Sequence, residues 1–146
     1  MGRTLGLDIG DRRIGVALSD ALGLTAQRLT VLERRDPAAD IEAMRALMTA
    51  HQVEQVVVGL PLTMRGEQGA QAKKVAAFVA LLQRRVAIPI HWLDERLTTV
   101  QGHRALSAMN TSPRKRKQMI DQVAAQLILQ DFLDTQRQLN ALTDAS

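Results

Sequence analysis

The segment from Thr4 to Asp20, TLGLDIGDRRIGVALSD, constrains the fold more than any other part of the chain. In both halves of the segment, apolar residues alternate with Gly, Asp, Ala or Ser, which is the two-residue period of a β-strand. The residues between the halves, 10–13, predict a tight turn joining two paired strands. The first strand contains Asp8, although Asp is depleted in strands and a buried, unpaired carboxylate is costly. Asp8 therefore predicts either a bound cation or a hydrogen-bonded carboxylate.

The remaining chain alternates between helical and strand patterns. A third strand is predicted over 27–33, and a helix follows the Asp36-Pro37 pair to about Ala50. The continuous apolar run over 55–59 is typical of a strand buried on both faces. A loop over 60–69, a helix over 70–85, a strand over 88–93 and helices over 97–109 and 113–135 complete the chain. This order predicts an α/β fold whose sheet has an antiparallel half and a parallel half, with helices on both faces.

The 146 residues are enough for one domain with a substantial core. We expect residues 1–135 to form that domain and 136–146 to form a polar C-terminal tail. The absence of cysteine excludes disulfides, thiolate zinc sites and cysteine nucleophiles. The chain has no apolar run that could span a membrane and no signal-peptide pattern, so we expect a cytoplasmic protein without a membrane partner.

Charge and aromatic content indicate how a nucleic-acid partner would be bound. The formal net charge is +4, and the pI of about 10.3 is compatible with such a partner. The only aromatic residues are Phe78, Trp92 and Phe132, and each lies in an apolar periodic stretch that predicts a core position. Proteins that stack single-stranded bases need exposed aromatic side chains. Nucleic acid would therefore be recognised here through its backbone, its shape and electrostatics.

Three carboxylates are candidates for metal ligation. Asp8 lies in the first strand, and Glu95 follows the last strand, where ligands bind in open α/β sheets. Asp121 shares one face of the last helix with Ala124 and Ile128. Oxygen donors without thiolates suit Mg²⁺ or Mn²⁺ rather than zinc. Two such ions, about 3.5–4 Å apart, could activate water and stabilise the leaving oxygen in phosphodiester hydrolysis.

Ordinary structural roles remain open for several of these side chains. Asp94, which precedes Glu95, is suited to cap the following helix. Asp121 could be a solvated acid on a helix surface. The histidines at positions 51, 91 and 103 lack the spacing of metal ligands and are predicted to be structural or superficial.

A basic cluster opens the last helix and consists of Arg114, Lys115, Arg116 and Lys117. The positive end of the helix dipole disfavours cations in this first turn. A phosphate would be favoured there by the side chains and by the free backbone N–H groups together. Asp121 follows within two turns, so a phosphate bound to the cluster would lie near the predicted metal site.

Four ordered segments carry a resemblance to a known family: LGLDIGDRRIGVALSD, VVVGLPLTMRG, DERLTT and KRKQMIDQVAAQLILQDFLD. They resemble the YqgF/RuvX family of bacterial proteins over nearly the whole chain, to about Leu133. The resemblance implies an RNase H-like fold with a mixed five-stranded sheet, related to the fold of Holliday-junction resolvases. It also implies catalytic and metal-binding roles for Asp8, Glu95 and Asp121, in a nuclease for the 5′ end of pre-16S rRNA.

The loop after the apolar strand departs from the family's pattern, which usually reads nearer GLPLNMDG. Thr63 and Arg65 stand here in place of the amide and the acid. Arg65 makes the loop more basic, and we expect it to contact nucleic acid together with Arg12, Arg13 and the basic cluster.

The leading hypothesis is a phosphodiesterase that acts on structured RNA with Mg²⁺ or Mn²⁺, with two ions expected and water as the nucleophile. A resolvase of four-way DNA would use the same residues but would need two active sites, hence a dimer. A non-catalytic RNA- or protein-binding factor could retain the fold. The LDIG segment also resembles the first phosphate loop of actin-like ATPases and sugar kinases, which need a second domain that this chain is too short to supply. Both a monomer and a homodimer remain open.

Overall fold

The computed structural model describes residues 2–97 and 113–144, with side chains in the second range described from residue 123 onward. Five strands and three helices make up these ranges, together with a short 3₁₀ turn at Glu95–Leu97. The strands are β1 (Arg3–Ile9), β2 (Arg13–Ser19), β3 (Ala26–Glu33), β4 (Val53–Leu60) and β5 (Ile90–Asp94), and the helices are α1 (Pro37–Ala50), α2 (Ala70–Gln83) and α3 (Pro113–Asp144). The helix predicted over 97–109 lies outside the described residues except for Leu97, which ends the 3₁₀ turn.

The sheet has the order β3-β2-β1-β4-β5. Strand β2 pairs antiparallel with β1 and β3, whereas β4 pairs parallel with β1 and β5. The mixed five-stranded sheet is therefore confirmed. Val56, Val57 and Val58 of β4 are fully buried, which confirms the prediction of a strand covered on both faces.

Two hydrophobic clusters lie on opposite faces of the sheet. Helices α1 and α2 cover the face to which Leu5 and Leu7 of β1 point. Helix α3 covers the other face, where Ile128 and Leu129 pack against Val57. Alternate residues of β1 point to opposite faces because the strand is pleated.

The close approach of α3 to β1 depends on Gly6. A Cβ atom at this position would lie 2.7 Å from the Cβ of Leu129 and 3.0 Å from the backbone oxygen of Ala125. The helix can therefore contact the strand backbone only where the strand has no side chain.

One prediction of burial and one prediction of a helix end differ from the structure. Phe78 and Phe132 are buried as predicted, but the prediction for Trp92 is wrong, because its side chain is 41% exposed. Trp92 lies on β5, which is an edge strand of the sheet formed by the described residues. Helix α3 continues to Asp144 instead of ending near position 135, since 136–144 contains neither Gly nor Pro to stop it. None of the helices in the described ranges combines the length and apolar character needed to cross a membrane.

Two aspartates accept backbone hydrogen bonds in segments that connect strands and helices. The Asp36 side chain accepts a hydrogen bond from the Ala39 N–H at 2.9 Å, which confirms the predicted start of α1. Asp20 follows β2, and its Oδ1 accepts hydrogen bonds from the N–H groups of Leu24 (2.7 Å) and Thr25 (3.2 Å). These backbone donors lower the pKa of Asp20 below its ordinary value of 3.8.

We predict that Asp20→Ala lowers the melting temperature near neutral pH and that this loss disappears in acid. A carboxyl whose pKa is lowered by folding stabilises the protein fully above its unfolded value of 3.8. That stabilisation is lost as the pH falls through the lower pKa of the folded state. Thermal unfolding of wild type and variant across this range measures the difference, with Asp144→Ala as an exposed control. An undiminished difference in acid would contradict the role of the charged form.

Candidate active site

Asp8 lies near the end of β1 on the face that α3 covers. It is two residues beyond Gly6, so the pleat directs both positions to the same face. Its side chain is only 8% exposed. The structure therefore confirms that an acid occupies a buried position in the first strand.

Glycines occupy the neighbouring positions on both adjoining strands. Gly15 of β2 pairs directly with Asp8. On the other side, Leu7 pairs with Val58 of β4, so Asp8 and Gly59 are the next residues along these two parallel strands. Neither glycine carries a side chain, so no side chain from these two positions lies beside Asp8, and the position above Gly59 is filled by Ile128 and Glu95.

Glu95 begins the 3₁₀ turn directly after β5 and is 1% exposed. A Cβ atom at Gly59 would lie 3.2 Å from both the Cγ and the Cδ of Glu95. The carboxyl group of Glu95 therefore packs over the backbone of Gly59, the residue that neighbours Asp8. Since β1, β4 and β5 are parallel, both acids lie at the carboxyl edge of these strands, where ligands bind in open α/β sheets.

The third predicted acid, Asp121, belongs to the backbone of α3, one helical turn before Ala125. Its side chain lies outside the described residues. The prediction that the three carboxylates meet at one metal site is therefore not tested and stays a prediction. Within the described part of the chain, no group of three or more His, Asp or Glu residues could hold a metal ion.

The two described carboxylates suit a hard divalent cation. Every buried side-chain nitrogen or oxygen in the described ranges has a hydrogen-bond partner, so neither acid is orphaned. The fit to a metal rests on the chemistry of the donors, since carboxylate oxygens are the ligands that Mg²⁺ and Mn²⁺ prefer. Asp8 and Glu95 could thus supply two ligands at one edge of the sheet.

A partly buried ion pair holds the turn between β1 and β2. Asp40 of α1 is 6% exposed and accepts hydrogen bonds from the Nε of Arg34 (3.3 Å) and the backbone N–H of Arg35 (2.9 Å). The guanidinium of Arg34 lies 4.8 Å from the centre of the Phe78 ring, at cation–π distance. Its Nη1 donates to the Gly10 carbonyl oxygen at 3.0 Å. The turn that follows Asp8 is therefore anchored to both α1 and α2.

This turn carries two of the predicted nucleic-acid contacts. Arg12 is exposed, whereas the Nε of Arg13 lies 3.1 Å from the Oε1 of Glu33 on β3. Asp11, also in the turn, lies 3.5 Å from the Nζ of Lys74 on α2. Arg12 is thus presented to solvent, while Arg13 is engaged by a neighbouring carboxylate.

The loop between β4 and α2, predicted over 60–69, occupies 61–69, because Leu60 still belongs to β4. Hydrogen bonds of Thr63 close this loop. The Thr63 N–H donates to the Glu67 carbonyl at 2.9 Å, and the Thr63 Oγ1 accepts from the Glu67 N–H at 3.1 Å. The Thr63 carbonyl accepts from the N–H of Gly66, whose φ of +82° favours glycine. Met64 and Arg65 form the exposed tip. The threonine hydroxyl therefore makes a side-chain hydrogen bond to the turn backbone, as an amide at this position also could.

Asp94 and Arg96 flank Glu95 and form a bidentate pair. Asp94 accepts from the Arg96 N–H at 2.9 Å and so caps the 3₁₀ turn, whereas the helix that the sequence predicts it to cap lies outside the described residues. The Nε of Arg96 lies 3.1 Å from each Asp94 carboxylate oxygen, and its Nη2 lies 2.7 Å from Oδ2. Hydrogen bonding by Arg96 lowers the pKa of Asp94, and the same contact raises the pKa of Arg96.

Sequence reasoning missed both arginines that hold these loops. Arg96 could have been singled out because it follows Glu95 directly. Arg34 carried no local signal, because its contacts with Asp40, Phe78 and Gly10 come from three other elements.

The other predicted residues divide between the described and undescribed parts of the chain. His91 packs against the Phe132 ring with centroids 5.3 Å apart, and the backbone of His51 ends α1, so both are structural as predicted. His103 lies outside the described residues. The backbone of the basic cluster lies in the first turn of α3, as predicted, but its side chains also lie outside.

The family model and two relatives that match this chain by sequence are described as a resolvase or as nucleases. Residues 2–135 match the family model described as "RuvX: Holliday junction resolvase". A Moorella thermoacetica protein named "Putative pre-16S rRNA nuclease" is 53% identical, and the match covers 90% of this chain and 94% of that protein. A protein of the same name from Halothermothrix orenii is 45% identical, with coverage of 94% and 99%.

Solved structures show the same fold at much lower identity. RuvC of T. thermophilus in complex with a Holliday junction substrate superposes with a TM-score of 0.60 at 16% identity, covering 94% of this chain and 96% of that one. The Fowlpox virus resolvase in complex with Holliday junction DNA gives 0.52 at 12% identity, with coverage of 91% and 97%. The fold is therefore RNase H-like, as in the RuvC-like resolvases.

We predict that Gly59→Ala destabilises the protein by about 1–3 kcal/mol through overpacking. The added methyl would lie 2.5 Å from the Cδ1 of Ile128 and 3.2 Å from the Glu95 side chain. Because Ile128→Val removes that Cδ1, Gly59→Ala should cost less in the Ile128→Val background, as measured by urea unfolding.

Gly6→Ala is the matched control, since its methyl would meet Leu129 and Ala125 instead of Ile128. Its cost should be the same with or without Ile128→Val. If the Gly59→Ala cost were also unchanged, the contact between Gly59 and Ile128 would not limit the packing.

Proposed function

The chain belongs to the RuvX family, and we propose that this nuclease cleaves the 5′ end of pre-16S rRNA in a reaction that depends on Mg²⁺ or Mn²⁺. One observation carries the proposal. Two buried carboxylates, Asp8 and Glu95, adjoin the same glycine at the carboxyl edge of the parallel strands, in a chain 53% identical to a protein named for this activity.

Asp8, Glu95 and Asp121 would hold the metal, most simply as two ions. A bound divalent ion would lower the pKa of water and neutralise charge on the reacting phosphate. The protein's own contribution is to hold its carboxylates ready before substrate arrives. The absence of a side chain at Gly59 lets Glu95 pack against the backbone of β4 beside Asp8, and burial limits the movement of both acids.

The nucleic-acid backbone would be bound by cations on either side of this edge. Arg12 and Arg65 are exposed on the two loops that border the carboxylates. The basic cluster of α3 would add a phosphate site at the start of that helix. Arg13 would contribute only by exchanging its pairing with Glu33 for a phosphate. These contacts would recognise the charge and shape of the nucleic-acid backbone rather than its base sequence, so they suit a structured RNA.

Resolution of branched DNA is the second candidate function. It is favoured by the description of the matching family and by two neighbours of the same fold whose structures contain Holliday junction DNA. A junction resolvase must cut two strands in a coordinated way, so this function requires a homodimer. The rRNA function makes no such demand. A cytoplasmic location suits either substrate in a bacterium.

We predict that Asp8→Asn abolishes cleavage, with at least about a hundredfold loss of kcat, because the amide removes a charged metal ligand. A precursor 16S rRNA fragment and a four-way DNA junction are incubated with Mg²⁺ or Mn²⁺, and the solution mass is measured in parallel. Selective cleavage of the rRNA supports the leading function, and selective cleavage of the junction by a dimer supports the second.

Glu42→Gln is the matched control, because it removes an exposed carboxylate on α1 that pairs only locally with Arg45. It should cleave as wild type does. Unfolding curves must show that Asp8→Asn remains folded. Full activity in folded Asp8→Asn would refute the mechanism. If the wild type binds RNA but cleaves neither substrate with either metal, the chain is a binding factor instead.

Replacing the basic cluster with glutamine should weaken RNA binding and reduce its dependence on salt. Each phosphate contact contributes about 0.7–0.9 to the slope of log K against log salt, so four lost contacts would reduce the slope by about 3. Fluorescence anisotropy at several salt concentrations measures it. The change should be similar for unrelated RNA sequences of equal length, since phosphate contacts carry no sequence information. An unchanged slope would mean that the RNA does not bind at the basic cluster.

A further inference from the structure

Arg96 connects the residue after Glu95 to the loop between β4 and α2. Its Nη1 lies 3.4 Å from the Met64 carbonyl oxygen. A Cβ atom at Gly66 would lie 3.0 Å from Nη1 and 3.2 Å from Nη2 of the same guanidinium. The backbone of the loop tip therefore lies directly against Arg96, and the absence of a side chain at Gly66 permits this contact.

The guanidinium that the loop contacts is itself held in place. Asp94 binds it through Nε and Nη2 and also binds the Arg96 backbone N–H. A bidentate pair of this kind fixes the plane of the guanidinium as well as its position.

The hydrogen bonds of Thr63 close the loop on itself and do not tie its tip to the sheet. The described contacts that tie the tip to the end of β5 are those with Arg96. Arg65 lies between Met64 and Gly66, the two residues that meet the guanidinium. Within the described residues, Arg96 therefore connects the backbone on both sides of Arg65 to the residue that follows Glu95.

We propose that the Asp94–Arg96 pair is a positioning device that holds the loop over 61–69 so that Arg65 meets the phosphate backbone of the substrate beside Glu95. The inference rests on the proposed nuclease function for its substrate. The anchoring of the loop can be tested without any substrate.

Limited proteolysis by trypsin tests the anchoring. Arg65 is an exposed trypsin site in the loop, and Arg85, beyond the end of α2, is an internal reference in the same protein. Arg96→Gln should accelerate cleavage after Arg65 by at least about threefold, because local opening exposes the bond. Cleavage after Arg85 should not change. An equal rate after Arg65 in variant and wild type would overturn the anchoring.

A double-mutant cycle tests whether Arg96 acts through Arg65. Arg65→Ala and Arg96→Gln should each raise the KM for the cleaved substrate several-fold, with kcat within about twofold of wild type. The double variant should be little worse than either single variant, because the loop then has no cation left to position. Additive effects on KM would instead show that Arg96 contacts the substrate itself, which would overturn the positioning role.

Two further variants separate geometry from charge. Arg96→Lys keeps the charge but lacks the planar fork, so it should behave like Arg96→Gln in both assays. Full recovery by lysine would overturn the role of the bidentate pair. Arg84→Gln removes an exposed charge at the end of α2 and should leave KM unchanged.

The two proposals fail in different ways. If the wild type cleaves neither RNA nor junction DNA, the proposed function fails, while faster proteolysis of Arg96→Gln still supports the anchored loop. If the wild type cleaves substrate but proteolysis and KM are unaffected by Arg96→Gln, the positioning role fails and the nuclease function stands.

Discussion

The rest of the structure depends on the contact between α3 and the two central parallel strands. Gly6 allows the helix to meet the backbone of β1, and Gly59 allows Ile128 to meet the backbone of β4. Any side chain at these positions would hold the helix away from the sheet. The same absence of side chains lets Glu95 pack over β4 next to Asp8. One packing requirement therefore both sets the separation of helix and sheet and creates the space for two buried acids.

Burial of these acids is tolerated because of where they lie. A carboxylate in the middle of a sheet would lose hydration on every side, whereas the carboxyl edge adjoins loops and the 3₁₀ turn. The fold places Asp8 near the end of β1 and Glu95 directly after β5, so both reach this edge. In the described residues no buried polar side-chain atom lacks a partner, which keeps the cost of the site low before any metal binds. The site can therefore form with the fold.

Much of this arrangement could be predicted from local sequence, and the part that could not has a common physical cause. The alternation around Asp8, the apolar run of β4 and the cap at Asp36 are each decided by neighbours in sequence, and the structure confirms them. The exposure of Trp92 depends on β5 being an edge strand, which only the complete sheet determines. The roles of Arg34 and Arg96 depend on contacts between elements, to which sequence periodicity is blind.

Arg34 and Arg96 hold two loops in place, whereas the arginines proposed to contact the substrate are other residues on those loops. Arg34 is engaged by Asp40, and Arg96 by Asp94, so each is held by a carboxylate while it binds a backbone carbonyl of one loop. The exposed cations Arg12 and Arg65 lie on the loops so held. Flexible surface arginines lose side-chain entropy when they bind phosphate. In the proposed function that side-chain cost remains for Arg12 and Arg65, but anchoring the backbone beneath them removes the additional cost of ordering a loop. The paired arginines would therefore favour binding although they present little charge to the substrate.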